Sequence, residues 1–539
     1  MILSELKRAL ATNKDVDNTE PTAKQDCSDV VHLSVYFDGT GNNRDADNKK
    51  KKWSNPARLW RTADQFIQDA KKDKTLPPNY AIYVSGVGTR FNGELNLFQR
   101  AIAMMQDHGG LGMGAGLGGT RRLDYGNMQI NQSLADALMH QANKAGVELK
   151  NYANTKKNMT FAKISTDLAQ HRLIKKINVS IFGFSRGAAL ARAFCNQWIW
   201  DCTPDCDGLK YNSVPIHFSF LGLFDTVASF GLPATNLNNK LPFMQRDLVV
   251  DERVEQCVHY VASNELRFAF PVDLIHINGK LARNQWKEVA YPGMHSDVGG
   301  GYEPGSQDVD DNYARIPLRD MLAEAIQAGV RMYGYEELRE KHVKLFQQFE
   351  VKPQTQQLYN AVHSMLPQNT SIQEQIQTSM KMYYSAYGTM HRTGVQSVSQ
   401  QVRESSTIRK LIPIGPSDMA TEMERLEAAT QRSQVVSKTV GNHALFKLLT
   451  PVSAAYEAYM SVAPWQFDSW RTQANDDVVK FYKNYVHDSK YGFLSNAEPF
   501  SYFRQRGIYE SLRSTQGQAN DQNYAKTQAQ CSIITAETF

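Results

Sequence analysis

Along the chain, apolar and polar positions alternate in two textures that change near Tyr302. Before it, short apolar runs rich in β-branched and aromatic residues recur, each punctuated by Gly or Asp near its end. They are VHLSVYFDGT at Val31 to Thr40, YAIYVSGVGT at Tyr80 to Thr89, INVSIFGFSRG at Ile177 to Gly187 and VPIHFSFLGLFDTV at Val214 to Val227. Runs of this length and composition read as buried strands turning into loops. Helical periodicity lies between them, at Ala188 to Trp200 and within Leu134 to Ala169. Strands alternating with helices predict an α/β fold, with a mainly parallel central sheet flanked by helices.

Beyond Tyr302 strand signals thin out. Pro317 to Tyr335 reads as one amphipathic helix, and Gln347 to Ser433 is rich in Gln, Ser and Thr with several Met. The expected organisation is a polar N-terminal segment at 1–28 and a catalytic core at 29–335. A largely helical insertion over that core follows at 336–438, then a helical and aromatic C-terminal segment at 439–539 packing on the core. The tail after Ser514 reads as polar and loose.

Composition narrows the class. The 539 residues carry 60 Lys+Arg against 55 Asp+Glu, a net charge of +5, with 42% hydrophobic and 21% charged residues. That profile excludes a disordered or fibrous chain, and the field is too weak to argue for nucleic acid. The one dense basic run, Lys49 to Lys52, reads as a solvated loop. Six cysteines do not make a disulfide scaffold. Cys195, Cys202 and Cys206 lack the paired histidines of a zinc site, and a bridge from Cys202 to Cys206 or Cys195 stands open beside free buried thiols. The N-terminal residues lack a secretory pattern, and the most apolar stretch, Ile216 to Gly231, is broken by His217 and Asp225, so membrane contact is expected only from the surface. Gly109 to Gly119 holds seven glycines with a formal GxGxxG match at Gly114, Gly116 and Gly119. No strand precedes it, so it reads as a flexible loop rather than a dinucleotide site.

The chemistry concentrates in Gly183-Phe184-Ser185-Arg186-Gly187, a G-x-S-x-G where an apolar strand meets a small-residue helix. A sharp strand-to-helix turn exposes the serine hydroxyl above the sheet edge, and the glycines let the turn pass close to its neighbours. Ser185 is the expected nucleophile. It needs a base, and His295 in PGMHSDVGGGY, 110 residues later, is the expected one. His487 is a distant second, and His217 and His259 read as core residues. Asp225 in LFDTV, at a strand end, is the expected acid, with Asp251, Glu265 and Asp273 as rivals. Asp297 is expected to stabilise its own loop through backbone N–H groups. The oxyanion donors are expected from the Arg186 amide at the helix start and from the Gly39, Thr40 and Gly41 amides. Such a site needs no metal and no cofactor.

With FDGTGNN, GFSRGAA, LFDTV and PGMHSDVGGGY in hand, the chain resembles the bacterial α/β-hydrolase family that includes the type VI secretion lipase effectors of the first class. The resemblance covers roughly Val30 to Tyr335. YVHDSKYGF and YFRQRGIYE, the latter at Tyr502 to Glu510, look like the family's C-terminal segment. The resemblance implies a serine-dependent phospholipase A acting on membrane glycerophospholipids as an antibacterial toxin. It further implies synthesis in the bacterial cytoplasm, export without a signal peptide on a secretion spike protein, action in the periplasm of target cells, and a cognate immunity protein. Lipid access is expected through amphipathic parts of the C-terminal region around Ala444 to Trp470, where a buried helix is the equal alternative. Two other functions fit the residues: a soluble carboxylesterase with the same triad, and a non-catalytic binding protein on a hydrolase scaffold.

Overall fold

A computed structural model describes residues 29–72, 78–89, 119–144, 161–162, 165, 173–228, 247–267, 269–368, 370–405, 418–428, 462–491 and 501–537. The N-terminal segment at 1–28, most of the glycine run and the stretch 444–461 lie outside the described residues.

Six strands form a parallel run in the order β2-β1-β3-β6-β7-β9: β1 (Asp29–Phe37), β2 (Asn79–Val84), β3 (Ile174–Phe184), β6 (Val214–Phe224), β7 (Val254–Ala262) and β9 (Lys287–Tyr291). A hairpin of β4 (Thr203–Asp205) and β5 (Gly208–Tyr211) adds antiparallel to the start of β6. The four runs read from the sequence are β1, β2, β3 and β6. The hairpin, β7 and β9 are short or carry charged residues, such as Glu255 and Glu288, that break the apolar signal.

β3 shows how the sequence builds a two-faced sheet. Its Phe182 and Phe184 enter one core and Val179 and Ile181 the other, the period-two alternation of a strand buried on both sides. In β6 the register shifts by one residue at Ser219, so Phe218 and Phe220 lie on opposite faces although they are two apart. This bulge turns Phe220 and Phe224 toward the same core as Phe182 and Phe184.

One face is covered by α2 (Gly119–Lys144) and α3 (Arg186–Trp200), the other by α1 (Asn55–Ala70) and α5 (Arg315–Gln327). The helix expected over Pro317 to Tyr335 ends eight residues early. α5 stops at Gln327, Gly329 follows at φ 85°, and a new helix, α6, starts at Tyr335–Lys341. A left-handed glycine of this kind ends helices because it carries no Cβ to clash. Further helices, α7 (Pro353–His363), α8 (Ile372–Arg392), α9 (Pro464–Arg471) and α10 (Asp476–Tyr485), join the core on the α1 and α5 face. Phe467 and Trp470 of α9 are buried there, so this part of the stretch expected to meet lipid is packing instead. Cys195 and Cys202 are free buried thiols and Cys206 is disulfide-bonded, so neither bridge considered for Cys202 forms. Within the basic run, Lys50 pairs with Glu303 and Lys52 with Asp47. His217 is not a core residue: its ring is 39% exposed and bonds Glu255.

Candidate active site

The C-terminal ends of the parallel strands gather on one edge, where such sheets place their sites. β1 ends into Asp38, β3 into Ser185, β6 into Asp225, and β9 leads through Pro292 and Gly293 into α4 (His295–Gly299). Ser185 sits at φ 59°, ψ −129°, outside the regions open to residues with a Cβ. Its N–H donates to the Phe224 carbonyl at 3.0 Å and its carbonyl accepts from Val227 N–H at 3.2 Å, so the ends of β3 and β6 are stitched together. The glycines of the turn are needed for space. A Cβ on Gly183 would lie 2.5 Å from Ala188 Cα, and one on Gly187 2.3 Å from the Asp38 carbonyl oxygen.

Asp225 and His295 meet. His295 Nδ1 lies 2.5 Å from Asp225 Oδ2, and both residues are buried. The His295 ring packs between Phe184, one residue before Ser185, at a centroid distance of 4.5 Å, and Phe270 at 4.9 Å. Burial pushes the His295 ring below its ordinary pKa against the pull of Asp225, which leaves it neutral near pH 7 and able to accept a proton. Burial opposes ionisation of Asp225, but the Arg506 charge and the bond to His295 override it and hold the carboxyl well below the usual range.

The rivals for the acid are engaged elsewhere. Asp251 pairs with Arg253 and Arg513, and Asp273 Oδ2 accepts from Ala228 N–H. Glu265 pairs with Arg267 and accepts the His295 amide at 3.1 Å and the Ser489 hydroxyl at 2.9 Å, so it anchors the backbone of the histidine rather than its ring. His487 does not approach Asp225. Its Nδ1 lies 2.6 Å from Asp297 Oδ1, while Asp297 Oδ2 accepts the Met294 and His487 amides. Asp297 is thus the loop-stabilising carboxylate expected of it. His259, buried, links Glu288 to the amide of Thr226 directly after Asp225.

The early loop is shaped by Asp38, which accepts Gly39 N–H at 2.8 Å, the Ser54 hydroxyl at 2.5 Å and the Tyr83 hydroxyl. Burial raises the Asp38 carboxyl to about 6 against those bonds. Gly39 N–H is thereby occupied, and Gly41 N–H donates to the Val87 carbonyl. Of the three amides expected as oxyanion donors in this loop, Thr40 alone has no partner for its N–H among the described residues, and its Oγ1 is buried without one. Arg186 opens α3, where the first N–H groups of a helix point outward.

Sequence reasoning missed Arg506, whose guanidinium bonds both oxygens of Asp225. Nothing local marks it, because Arg504 and Arg506 stand alike in YFRQRGIYE. Among the described residues no group of His, Cys, Asp and Glu side chains is arranged to hold a metal ion, and no helix is long and apolar enough to cross a membrane.

The chain is similar to the crystal structure of an uncharacterized protein from Pseudomonas aeruginosa, at 21% identity and a TM-score of 0.53 over 97% of this chain and 69% of that one. It is also similar to the Tle1 effector bound to the VgrG spike from the type VI secretion system, at 18% identity and a TM-score of 0.35, over 65% of this chain and 84% of that one. No curated protein matches the chain. The model of the catalytic domain of Tle1-like type VI secretion phospholipase effectors matches residues 32–199 and 205–324, more than half of the sequence. The chain belongs to that Tle1-like phospholipase effector family.

Proposed function

We propose that the protein is a serine-dependent phospholipase A that hydrolyses ester bonds of membrane glycerophospholipids through Ser185, Asp225 and His295. The observation that carries this reading is the buried Asp225–His295 pair, brought to the strand edge where Ser185 is held in its strained turn. His295 takes the Ser185 proton as the hydroxyl attacks the ester carbonyl. The backbone N–H groups of Arg186 and Thr40 stabilise the oxyanion, which collapses with cleavage of the ester C–O bond as His295 hands its proton to the departing lysolipid alcohol. Water deprotonated by His295 then hydrolyses the acyl-enzyme, freeing the fatty acid and the Ser185 hydroxyl, while Asp225 fixes the imidazole and stabilises its charged form. Family membership supports the phospholipase and effector roles. Delivery into rival cells on a spike protein, action on the periplasmic side of their membranes and neutralisation by an immunity protein in the producer complete the proposal.

Fatty-acid release from phospholipid vesicles by the wild type beside Ser185→Ala, Asp225→Ala and His295→Ala, with folding matched by circular dichroism, tests it. The expected loss is about 10³-fold or more for each variant. An active Ser185→Ala protein overturns the mechanism, and a wild type that cleaves short esters but not phospholipid overturns the substrate.

A further inference from the structure

Asp225 is held more firmly than orienting an imidazole requires. Its Oδ1 accepts the Ala262 amide at 2.9 Å and Arg506 Nη1 at 2.7 Å, and its Oδ2 accepts Arg506 Nη2 at 2.6 Å beside the His295 contact. The guanidinium is itself fixed. Nη1 also donates to the Ala262 carbonyl at 2.8 Å, Nε donates to the Phe270 carbonyl at 2.6 Å, and the side chain is 3% exposed. Arg506 lies 281 residues after Asp225 and two before β10 (Ile508–Glu510). That strand pairs with β8 (Val272–Leu274) and anchors the segment. A two-pronged guanidinium clamp sets the plane of a carboxylate as well as its charge, which a lysine does not.

Resting on the triad reading above, we infer that Arg506 is a positioning residue for catalysis: its fork fixes the Asp225 carboxylate against His295 Nδ1, and its charge offsets the one Asp225 presents to the ring. The other charged groups around His295 are Glu265 and Arg267, from the segment after β7, and Asp297 of its own helix with His487 packed behind it. A substitution at Arg506 leaves all of these in place. It leaves Asp225 as an anion without its clamp, and an uncompensated carboxylate at hydrogen-bond distance favours the protonated imidazole. The base is then lost at a higher pH.

The test uses the full chain and follows kcat and kcat/KM for fatty-acid release between about pH 5 and pH 9 for the wild type, Arg506→Gln and Arg506→Lys, with Ser185→Ala as the blank. For Arg506→Gln the acidic limb moves up by about one pH unit, so the loss at low pH exceeds that at high pH by about 10-fold. Arg506→Lys keeps the cation and hence the limb, and loses about 10-fold in kcat at all pH values through the missing fork. A Gln variant with the wild-type limb overturns the inference, whatever its overall rate. If the Gln variant does not fold, the Lys variant decides: a wild-type kcat overturns the positioning role and a reduced one supports it. An active Ser185→Ala blank brings down the triad reading and this inference together, whereas an inert blank with an unshifted Gln limb brings down this inference alone.

Discussion

Ser185→Gly and Ser185→Ala both delete the hydroxyl and differ only in the Cβ, so their comparison measures the strain in the turn apart from its chemistry. Ser185 cannot relax, because its N–H is held by Phe224 and its carbonyl by Val227, Ala188 and Ala189. At φ 59°, ψ −129° a residue with a Cβ is strained by roughly 1–3 kcal/mol. Glycine relieves that strain, while the extra freedom it gives the unfolded chain costs about 0.5–1 kcal/mol. The Gly variant is therefore expected to be more stable than the Ala variant by about 1 kcal/mol, against the usual order of the two residues. Urea unfolding of both proteins, followed by near-UV circular dichroism, reads this as a higher midpoint for Ser185→Gly. A midpoint equal to or below that of Ser185→Ala would refute the argument that a Cβ is strained at this backbone conformation.

Gly187→Ala, whose Cβ would lie 2.3 Å from the Asp38 carbonyl oxygen, is expected to push the elbow off the early loop and lower fatty-acid release by about 10²-fold. Unchanged release would show that the close approach is dispensable. His487→Phe keeps a ring against Tyr302 but leaves Asp297 one partner short, and should lower stability by about 1–3 kcal/mol, read as a lower urea midpoint, while release stays within about 10-fold of wild type. Glu265 and Glu288 are buried, yet ion pairs and hydrogen bonds hold both carboxyls at about 2, below the ordinary glutamate value of 4.5. Their stabilisation is full above about pH 4.5 and is lost as the pH falls through about 2, so thermal melts should show an apparent Tm that declines across that window. A Tm independent of pH there would contradict the pairing.

What the sequence discloses is what neighbours in the chain settle between themselves. The G-x-S-x-G turn, LFDTV and the histidine loop are legible because each encodes a strand end followed by its own turn chemistry within a dozen residues. Gly39 and Gly41 were expected to share the oxyanion with Thr40, but their amides are spent on Asp38 and Val87, partners that only the folded loop reveals. The bulge at Ser219 is likewise invisible, since VPIHFSFLGLF reads as one apolar run with no break at that residue. The support of the site is the least legible part. Arg506 reaches Asp225, His487 reaches Asp297 and Ser489 reaches Glu265 across separations of 190 to 281 residues. All three come from beyond residue 324, where the family match ends.

The parallel pairing of β8 with β10 joins Val272 to Ile508. Closing so long a loop adds little to the equilibrium cost, because each doubling of loop length costs only about 0.6 kcal/mol. In time the effect is larger, since contacts between distant parts of a chain form slowly. During synthesis Ser185, Asp225 and His295, the proposed triad, all emerge more than 200 residues before β10 does. The strand edge that holds them therefore stays without its Arg506 clamp until that late strand has been made, and the clamping of Asp225 reports that the helical region in between has been built.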